Sequence, residues 1–410
     1  MINEVEHLSG IGVSFGSPNI DIEAVRSYKE RIVSQLNKGI VQLAKVRKVK
    51  TLNGLATFLS NTELLVDNGE ESKNIEFERC IIAAGSTSSR LPNMPENHPS
   101  VLTSRTALEL PDVPDTLLIV GGGVIGLELG QVYASLGSKV SVVEFLPNLI
   151  TGADPDIVKP LQRKINKQFE KILLSSKEES VTPADNNRLK VSIKTSKDET
   201  VEEVFDKILL SVGRKPNTQG WGLSKMAVDM DGPFVKVDKQ CRTSMKNVWA
   251  IGDIVGEPML AHKASAQGEM VSEIIAGHRR AFDPVSIAAV CFTDPEIVGV
   301  GLTPDEAKEE GIDVVIGKFP FAASGRALAM DAGSDGGFVR ITARSDNHVI
   351  VGIHAVGSHV SELSGEFAHA IEMGSRLEDV SGTIHVHPTL TEAFAESALA
   401  GLGHAIHISK

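Results

Sequence analysis

The stretch Leu117–Glu144 restricts the fold of this chain more than any other. Leu117 to Val120 are consecutive apolar residues and read as a buried strand. Gly121, Gly123 and Gly126 then form G-x-G-x-x-G, and Val124 to Leu136 carries helical periodicity up to Gly137, placed as a C′ glycine. Val140-Ser-Val-Val reads as a second strand and runs into Glu144. Strand, glycine turn, helix, strand and acid in that order are the context a dinucleotide fingerprint requires. Gly121 permits the tight turn, Gly123 lets the backbone approach a pyrophosphate, and Gly126 lets helix and strand pack closely. The helix N-terminus offers N–H donors and the positive end of a dipole to phosphates. Glu144 can accept hydrogen bonds from ribose hydroxyls and would repel a 2′-phosphate, which favours NAD over NADP.

The rest of the chain narrows the class. A length of 410 residues predicts two to four domains. The formal net charge of −12 argues against general binding to nucleic acid or an anionic membrane. No apolar run is long enough to span a bilayer, and the first residues lack the basic and apolar regions of a signal peptide, so a cytoplasmic protein is expected. Cys80, Cys241 and Cys291 lie far apart, match no zinc or C-x-x-C spacing, and read as buried reduced thiols. No metal site is expected.

Residues 1–20 read as an irregular entry with a turn at Ser17-Pro18-Asn19. Ile22, Val25, Ile32, Leu36, Ile40 and Leu43 then recur at helical spacing, predicting a helix over 21–46. Lys45, Arg47, Lys48 and Lys50 at its end suit a helix C-terminus. Short strands are expected around 49–58, 63–66 and 75–77, and Cys80-Ile-Ile-Ala-Ala-Gly85 reads as a buried strand leaving through a glycine. Residues 91–114 hold five prolines and read as a connector. A helix is expected over 156–169, an antiparallel excursion over 175–205, a strand ending at Gly213, and a turn over 213–217. Val248-Trp-Ala-Ile-Gly-Asp253 is a second strand-to-acid signature, followed by a helix from Ala261 to Ala276. From Pro284 onward, five strand-like stretches of one antiparallel sheet alternate with helices, and Thr303-Pro-Asp-Glu306 forms a capping box.

Near the C-terminus stands His385-Val-His387-Pro388-Thr-Leu-Thr-Glu392. The proline pushes His387 into extended geometry at the mouth of a helix. Two readings of Glu392 stand side by side. It can complete a capping box with Thr389, or it can orient His387 as an acid/base, as carboxylates do for imidazoles.

In this order the motifs resemble the pyridine nucleotide-disulfide oxidoreductases, and among them the bacterial dihydrolipoyl dehydrogenase branch. The matching pieces are Ile81–Ser86, Gly121–Gly130, Val212–Asn217, Trp249–Asp253, Pro258–Lys263, Phe292–Glu296, Ala323–Arg326 and His385–Glu392. The resemblance implies an α/β fold: a Rossmann-like NAD domain inserted in a partial FAD domain, then an α+β dimerisation domain. The implied stretches are 1–90 and 218–284 for FAD, 91–217 for NAD and 285–410 for dimerisation. It implies that Gly121, Gly123, Gly126, Glu144 and Gly213 serve NAD. Asp253 would take the ribityl chain of FAD, Ala261 would face the flavin, Gly85 would lie at a strand exit of the FAD domain, and Ala56 would meet the adenine. His387, backed by Glu392, would be the acid/base for a dithiol. A homodimer is implied, serving the lipoyl domain of a 2-oxo acid dehydrogenase or glycine cleavage complex.

One departure bears on mechanism. The family opens with its own FAD-binding βαβ unit and a helix bearing two cysteines four residues apart. This sequence has no second G-x-G-x-x-G and no such cysteine pair, and the lysine that the family sets against the position of Glu128 is missing too. The expectation is a chain lacking that N-terminal unit, through truncation or a misplaced start, with an impaired dithiol relay. A non-catalytic NAD-binding dimer and an NADH diaphorase are the alternatives.

Overall fold

The computed structural model describes residues 2, 5, 8–16, 18–95, 97–333 and 336–409. The turn expected at Ser17, and part of the expected entry over 1–20, lie outside the described residues. The chain divides into two units. One comprises Met1–Pro18, Arg90–Val212 and Pro284–Lys410, and the other Asn19–Ser89 and Gly213–Asp283.

The first unit is built on the nucleotide-type sheet. Five parallel strands lie in the order Val101–Thr103, Lys207–Leu210, Thr116–Val120, Lys139–Val143, Lys171–Leu173. Leu117, Leu118, Ile119, Val140, Val142, Ile208 and Leu209 are wholly buried, because helices and an antiparallel sheet cover the faces. The edge strand corrects the reading of 91–114 as a mere connector. After Pro99 the chain forms Val101–Thr103 and the capped helix Ser104–Leu108, since the prolines are confined to the flanks. The excursion at 175–205 is a three-stranded antiparallel sheet of Lys177–Pro183, Leu189–Lys194 and Thr200–Phe205.

Pro284–Lys410 adds a second sheet to the same unit, all antiparallel: Ala289–Cys291, Glu296–Gly301, Ile350–Gly357, Phe338–Arg344, Val314–Pro320. Phe319, Phe321, Phe367 and Phe394 fill its core. Thr303 and Glu306 cap the helix Pro304–Glu309 reciprocally. The two sheets belong to one unit through polar contacts that no local pattern encodes. Gln131 holds Asp294 through both its N–H and its C=O, and Lys164 reaches the Asp294 carboxylate at 2.7 Å. Buried Arg340 pairs with Asp154, the cap of helix Pro155–Gln168, and with Asp156.

The second unit is smaller. Asp21 caps the long helix Ile22–Val46. Leu55–Phe58, Glu63–Asp67 and Ser72–Glu76 form an antiparallel meander, so the strand expected from residue 49 begins only at Leu55. Among the described residues, Cys80–Ile82 pairs in parallel with Val248–Ala250 alone. Its expected full burial is not met: Cys80 is half-buried and Ile81 is 37% exposed, because no further strand among the described residues covers that edge. Residues 213–217 are also not simply a turn. Arg214–Pro216 pairs with Ser86–Ser88.

Candidate active site and nucleotide turn

The glycine turn is built as its spacing requires. Helix Val124–Ser135 starts after Gly123 and ends in a Schellman turn, with Gly137 N–H on Ala134 O and Ser138 N–H on Tyr133 O. Gly121 has φ +103°, and a Cβ there would meet Ser211 O at 2.5 Å. A Cβ at Gly126 would lie 2.4 Å from Gly121 O and 2.5 Å from Ser211 Oγ. At Gly123 a Cβ would meet nothing within 4 Å. Two glycines are therefore closed against protein, and one is open to whatever approaches the turn. Glu144 directly follows the strand Lys139–Val143, with one carboxylate oxygen accepting from Gly122 N–H at 2.6 Å and the other from Leu146 N–H at 2.7 Å. The acid is thus fixed beside the glycine turn, and each oxygen keeps a lone pair for a hydroxyl.

The same unit carries the histidine site. His387 Nδ1 lies 2.9 Å from Glu392 Oε1, while Glu392 Oε2 accepts from Thr389 N–H at 2.7 Å. Glu392 therefore meets both partners, one on each oxygen, but the capping box expected with Thr389 is only half formed. Helix Glu392–Gly401 has no side-chain cap from Thr389, whose hydroxyl instead meets Val386 O and Thr391 Oγ1. Burial works to raise the Glu392 pKa, but the Thr389 N–H and the His387 ring outweigh it and hold the carboxyl below its usual range. The His387 ring is 79% exposed, so Nε2 faces outward while Nδ1 is held.

His385 has no role that its sequence motif announces. Its ring is buried, with Nδ1 2.9 Å from Thr383 O and Nε2 3.1 Å from Glu366 Oε1. It anchors the segment that leads to His387. The signal was the alternation His385-Val-His387, but the partner Glu366 lies on another helix and only tertiary structure supplies it. Glu128, on the outer face of the nucleotide helix, accepts from Phe292 N–H at 2.7 Å. Burial raises its pKa against that hydrogen bond. A cavity of about 900 Å³ opens beside Glu128, Gln131 and Phe292.

In the second unit Asp253 is gathered with two residues that received no role from sequence. Ser86 Oγ donates to Asp253 Oδ2 at 2.5 Å, and Arg214 Nε donates to Ser86 Oγ at 2.7 Å. Gly85 has φ +68° with open space where a Cβ would stand, and Gly213 has φ +102° with the same openness. Ala261 is the first residue of helix Ala261–Ile275, whose N-terminus has no side-chain cap. Lys263 on that helix is buried, donates to Gly256 O, and has its pKa lowered by burial against the pull of Asp253 and Glu257. Ala56 is exposed on its strand and borders an apolar cavity of about 360 Å³ with Phe58, Ile81, Ala84 and Trp221. These features fit the ribityl, flavin and adenine parts of FAD, whereas no second glycine fingerprint is present for its pyrophosphate. All three thiols are pushed up to about 11 by burial. Among the described residues no cluster of three or more His, Cys, Asp or Glu could hold a metal ion, and no helix is long and apolar enough to cross a membrane.

Comparison with known proteins places this architecture. Residues 4–268 match the family described as "Pyridine nucleotide-disulphide oxidoreductase", and residues 287–398 match its dimerisation domain. The chain is 48% identical to the dihydrolipoyl dehydrogenase of Pseudomonas aeruginosa over 98% of its own length and 85% of that protein. It is 42% identical to that of Vibrio parahaemolyticus, over 97% of this chain and 83% of the relative. Among solved structures, LpdA from Mycobacterium tuberculosis superposes with a TM-score of 0.86 at 23% identity, covering 97% of this chain and 86% of that one. The HOCl-induced flavoprotein disulfide reductase RclA from Escherichia coli gives 0.81 at 23% identity, covering 95% and 87%. At that identity the two structures attest the fold. With the family match spanning most of the sequence, the chain belongs to the pyridine nucleotide-disulphide oxidoreductases and, by its relatives, to their dihydrolipoyl dehydrogenase branch.

Proposed function

We propose that this chain is a homodimeric flavoprotein oxidoreductase of dihydrolipoyl dehydrogenase type, with His387 as the acid/base for a dithiol. One observation carries the reading: Glu392 holds His387 Nδ1 at 2.9 Å and leaves the outer face of an exposed ring to the substrate. A thiol proton moves to Nε2 while Nδ1–H stays on the carboxylate, which stabilises the imidazolium that forms. Gly121, Gly123 and Gly126 seat the pyrophosphate of NAD⁺ on the helix N-terminus, and Glu144 takes the ribose. Asp253, Ala261, Gly85 and Ala56 hold FAD, and Gly213 serves the nicotinamide nucleotide. FAD, when bound, supplies the two-electron carrier between dithiol and nicotinamide. An enzyme of that type takes as substrate the lipoyl group of a 2-oxo acid dehydrogenase or glycine cleavage complex in the cytoplasm.

Thiol–disulfide exchange also needs an accessible, low-pKa cysteine pair. Cys80, Cys241 and Cys291 are unpaired, with thiols pushed up to about 11. We infer that these 410 residues by themselves bind NAD⁺ without turning over dihydrolipoamide. Those cysteines favour, as the second reading, an NAD-binding dimer without dithiol chemistry. The test is NADH formation from dihydrolipoamide and NAD⁺ by the purified chain, with NAD⁺ binding and the visible flavin spectrum recorded in parallel. Turnover by these residues would refute the inference. A flavin band with NADH oxidation by an external acceptor would replace the second reading with a diaphorase.

A further inference from the structure

Asparagine followed by glycine is a reactive pair. The glycine nitrogen can attack the carbonyl carbon of the asparagine side chain, because no Cβ on the second residue blocks the approach. A bond forms between that nitrogen and Cγ, the amide nitrogen leaves as ammonia, and the product is a cyclic succinimide. Water then opens the ring at either carbonyl and leaves aspartate or isoaspartate. In sum an amide and a water become a carboxylic acid and ammonia, with nothing oxidised or reduced. In a folded chain the attacking N–H must be free to lose its proton, the amide must be free to turn, and water must reach both.

The sequence holds two such pairs, Asn53-Gly54 and Asn68-Gly69. The fold treats them in opposite ways. Asn68 lies in the turn between the paired strands Glu63–Asp67 and Ser72–Glu76. Its side-chain oxygen accepts from Glu70 N–H and from Glu71 N–H, each at 2.9 Å. Gly69 N–H, the attacking group, donates to Asp67 Oδ1 at 2.9 Å. A proton held on a carboxylate is harder to remove. The amide is pinned and the nucleophile is masked.

Asn53 has neither restraint. Residues 51–54 are exposed and belong to no helix or strand. Among the described residues, neither the Asn53 amide nor the Gly54 N–H has a hydrogen-bond partner. Gly54 itself is required by packing, since a Cβ there would meet Asp67 O at 2.7 Å and Val66 Cγ1 at 2.8 Å. The small residue that makes the pair reactive is therefore the one the fold cannot replace.

We propose that Asn53 is a site of spontaneous deamidation through ring closure by the Gly54 nitrogen, and that Asn68 is protected by its turn. Either product places a new negative charge ahead of the strand Leu55–Phe58. Isoaspartate also lengthens the main chain by one carbon. Gly54 is wedged against Val66 and Asp67, so the added length falls on the start of the strand, where Leu55 pairs with Asp67. The site requires neither the nucleotide nor the dithiol reading.

Peptide mapping by mass spectrometry of the full chain, aged at mildly alkaline pH, tests it. The readout is the gain in mass when an amide becomes an acid, followed separately at the two pairs. The same ageing in urea gives the rate of each pair without the fold. In the folded chain Asn53 should convert at least tenfold faster than Asn68, whereas in urea the two should convert at similar rates. Similar rates in the folded chain would overturn the proposal, as would Asn68 converting first or a difference that persists unchanged in urea. Asp67→Ala removes the acceptor of Gly69 N–H and should speed Asn68 at least threefold without changing Asn53. No gain at Asn68 would show that the turn does not protect it in this way. Hydrogen exchange over Leu55–Phe58 should quicken in step with conversion at Asn53, and exchange that ignores conversion would refute the effect on the strand.

Discussion

Alanine at Gly123 and at Gly126 should separate nucleotide binding from folding, although the two positions are three residues apart. At Gly126 a Cβ would stand 2.4 Å from Gly121 O, 2.5 Å from Ser211 Oγ and 3.0 Å from Ile119 Cγ2. A carbon needs about 3.3 Å from a carbonyl oxygen, so helix Val124–Ser135 must retreat by about 1 Å from a sheet whose inner residues are wholly buried. Overpacking of that kind costs about 1–3 kcal/mol. Replacing a helical glycine by alanine returns at most about 1 kcal/mol of helix propensity. Gly126→Ala should therefore lose about 1–2 kcal/mol net and weaken NAD⁺ binding as a consequence. Gly123 has φ −80° and ψ −179°, which alanine adopts without strain, and the added carbon meets no protein atom. Gly123→Ala should keep its stability within about 0.5 kcal/mol. On the role proposed for the turn, its methyl group instead takes space that the pyrophosphate would enter, so NAD⁺ affinity should fall at least tenfold, a loss of about 1.4 kcal/mol or more. Urea unfolding gives the stabilities and titration calorimetry the affinities. Parent-like NAD⁺ binding by Gly123→Ala, or parent-like stability of Gly126→Ala, would refute this division of roles.

Three further outcomes follow from the same geometry. Glu144→Gln should narrow the preference for NAD⁺ over NADP⁺ by about tenfold in calorimetric competition, because the charge that repels a 2′-phosphate is gone; an unchanged ratio would remove Glu144 from the site. His354 is buried opposite Arg340 on the neighbouring strand, and burial first, then that charge, lower its pKa from 6.5 to about 4. The unfolded chain binds this proton first, so stability is lost as pH falls from about 6.5 to 4, by about 3 kcal/mol from this residue. Thermal unfolding of His354→Asn should show a flatter acid limb than the parent, and an identical limb would refute the assignment. Glu392 has a depressed pKa, so its contribution is present above its unfolded value of 4.5 and fades as pH falls through the lower folded one. Glu392→Gln should then cost less than about 1 kcal/mol at neutral pH and nothing in acid, read from paired denaturation curves; a cost independent of pH would show that packing, and not charge, holds the turn.

Where the chemistry is local, the sequence could be read directly. The glycine turn is one: Gly121, Gly126 and Gly137 answer to backbone angles and close approaches within a short stretch of chain. The reciprocal cap of Thr303 and Glu306 is another, and the alternation of Leu189–Lys194 announced its sheet. Misreadings fell where a distant partner decides the outcome. Val101–Thr103 became a strand because Lys207–Leu210 lies alongside it. Arg214–Pro216 did so because Ser86–Ser88 is within reach. Ile81 stays partly exposed because, among the described residues, only one neighbour pairs with its strand.

The two sites divide in the same way. The residue types that can bind a dinucleotide, and the His387–Glu392 spacing that can move a proton, are properties of short stretches, and the sequence by itself determined them. Tertiary structure alone decided that Glu392 serves His387 with one oxygen and Thr389 with the other. It also supplied Glu366 to His385, set Ser86 and Arg214 on Asp253, and tied the nucleotide sheet to the C-terminal sheet through Arg340, Asp154 and Asp156. The physical reason is one of range. Backbone sterics and helix capping act over a few residues, whereas a buried polar group must find its partner wherever the folded chain brings one within hydrogen-bonding distance.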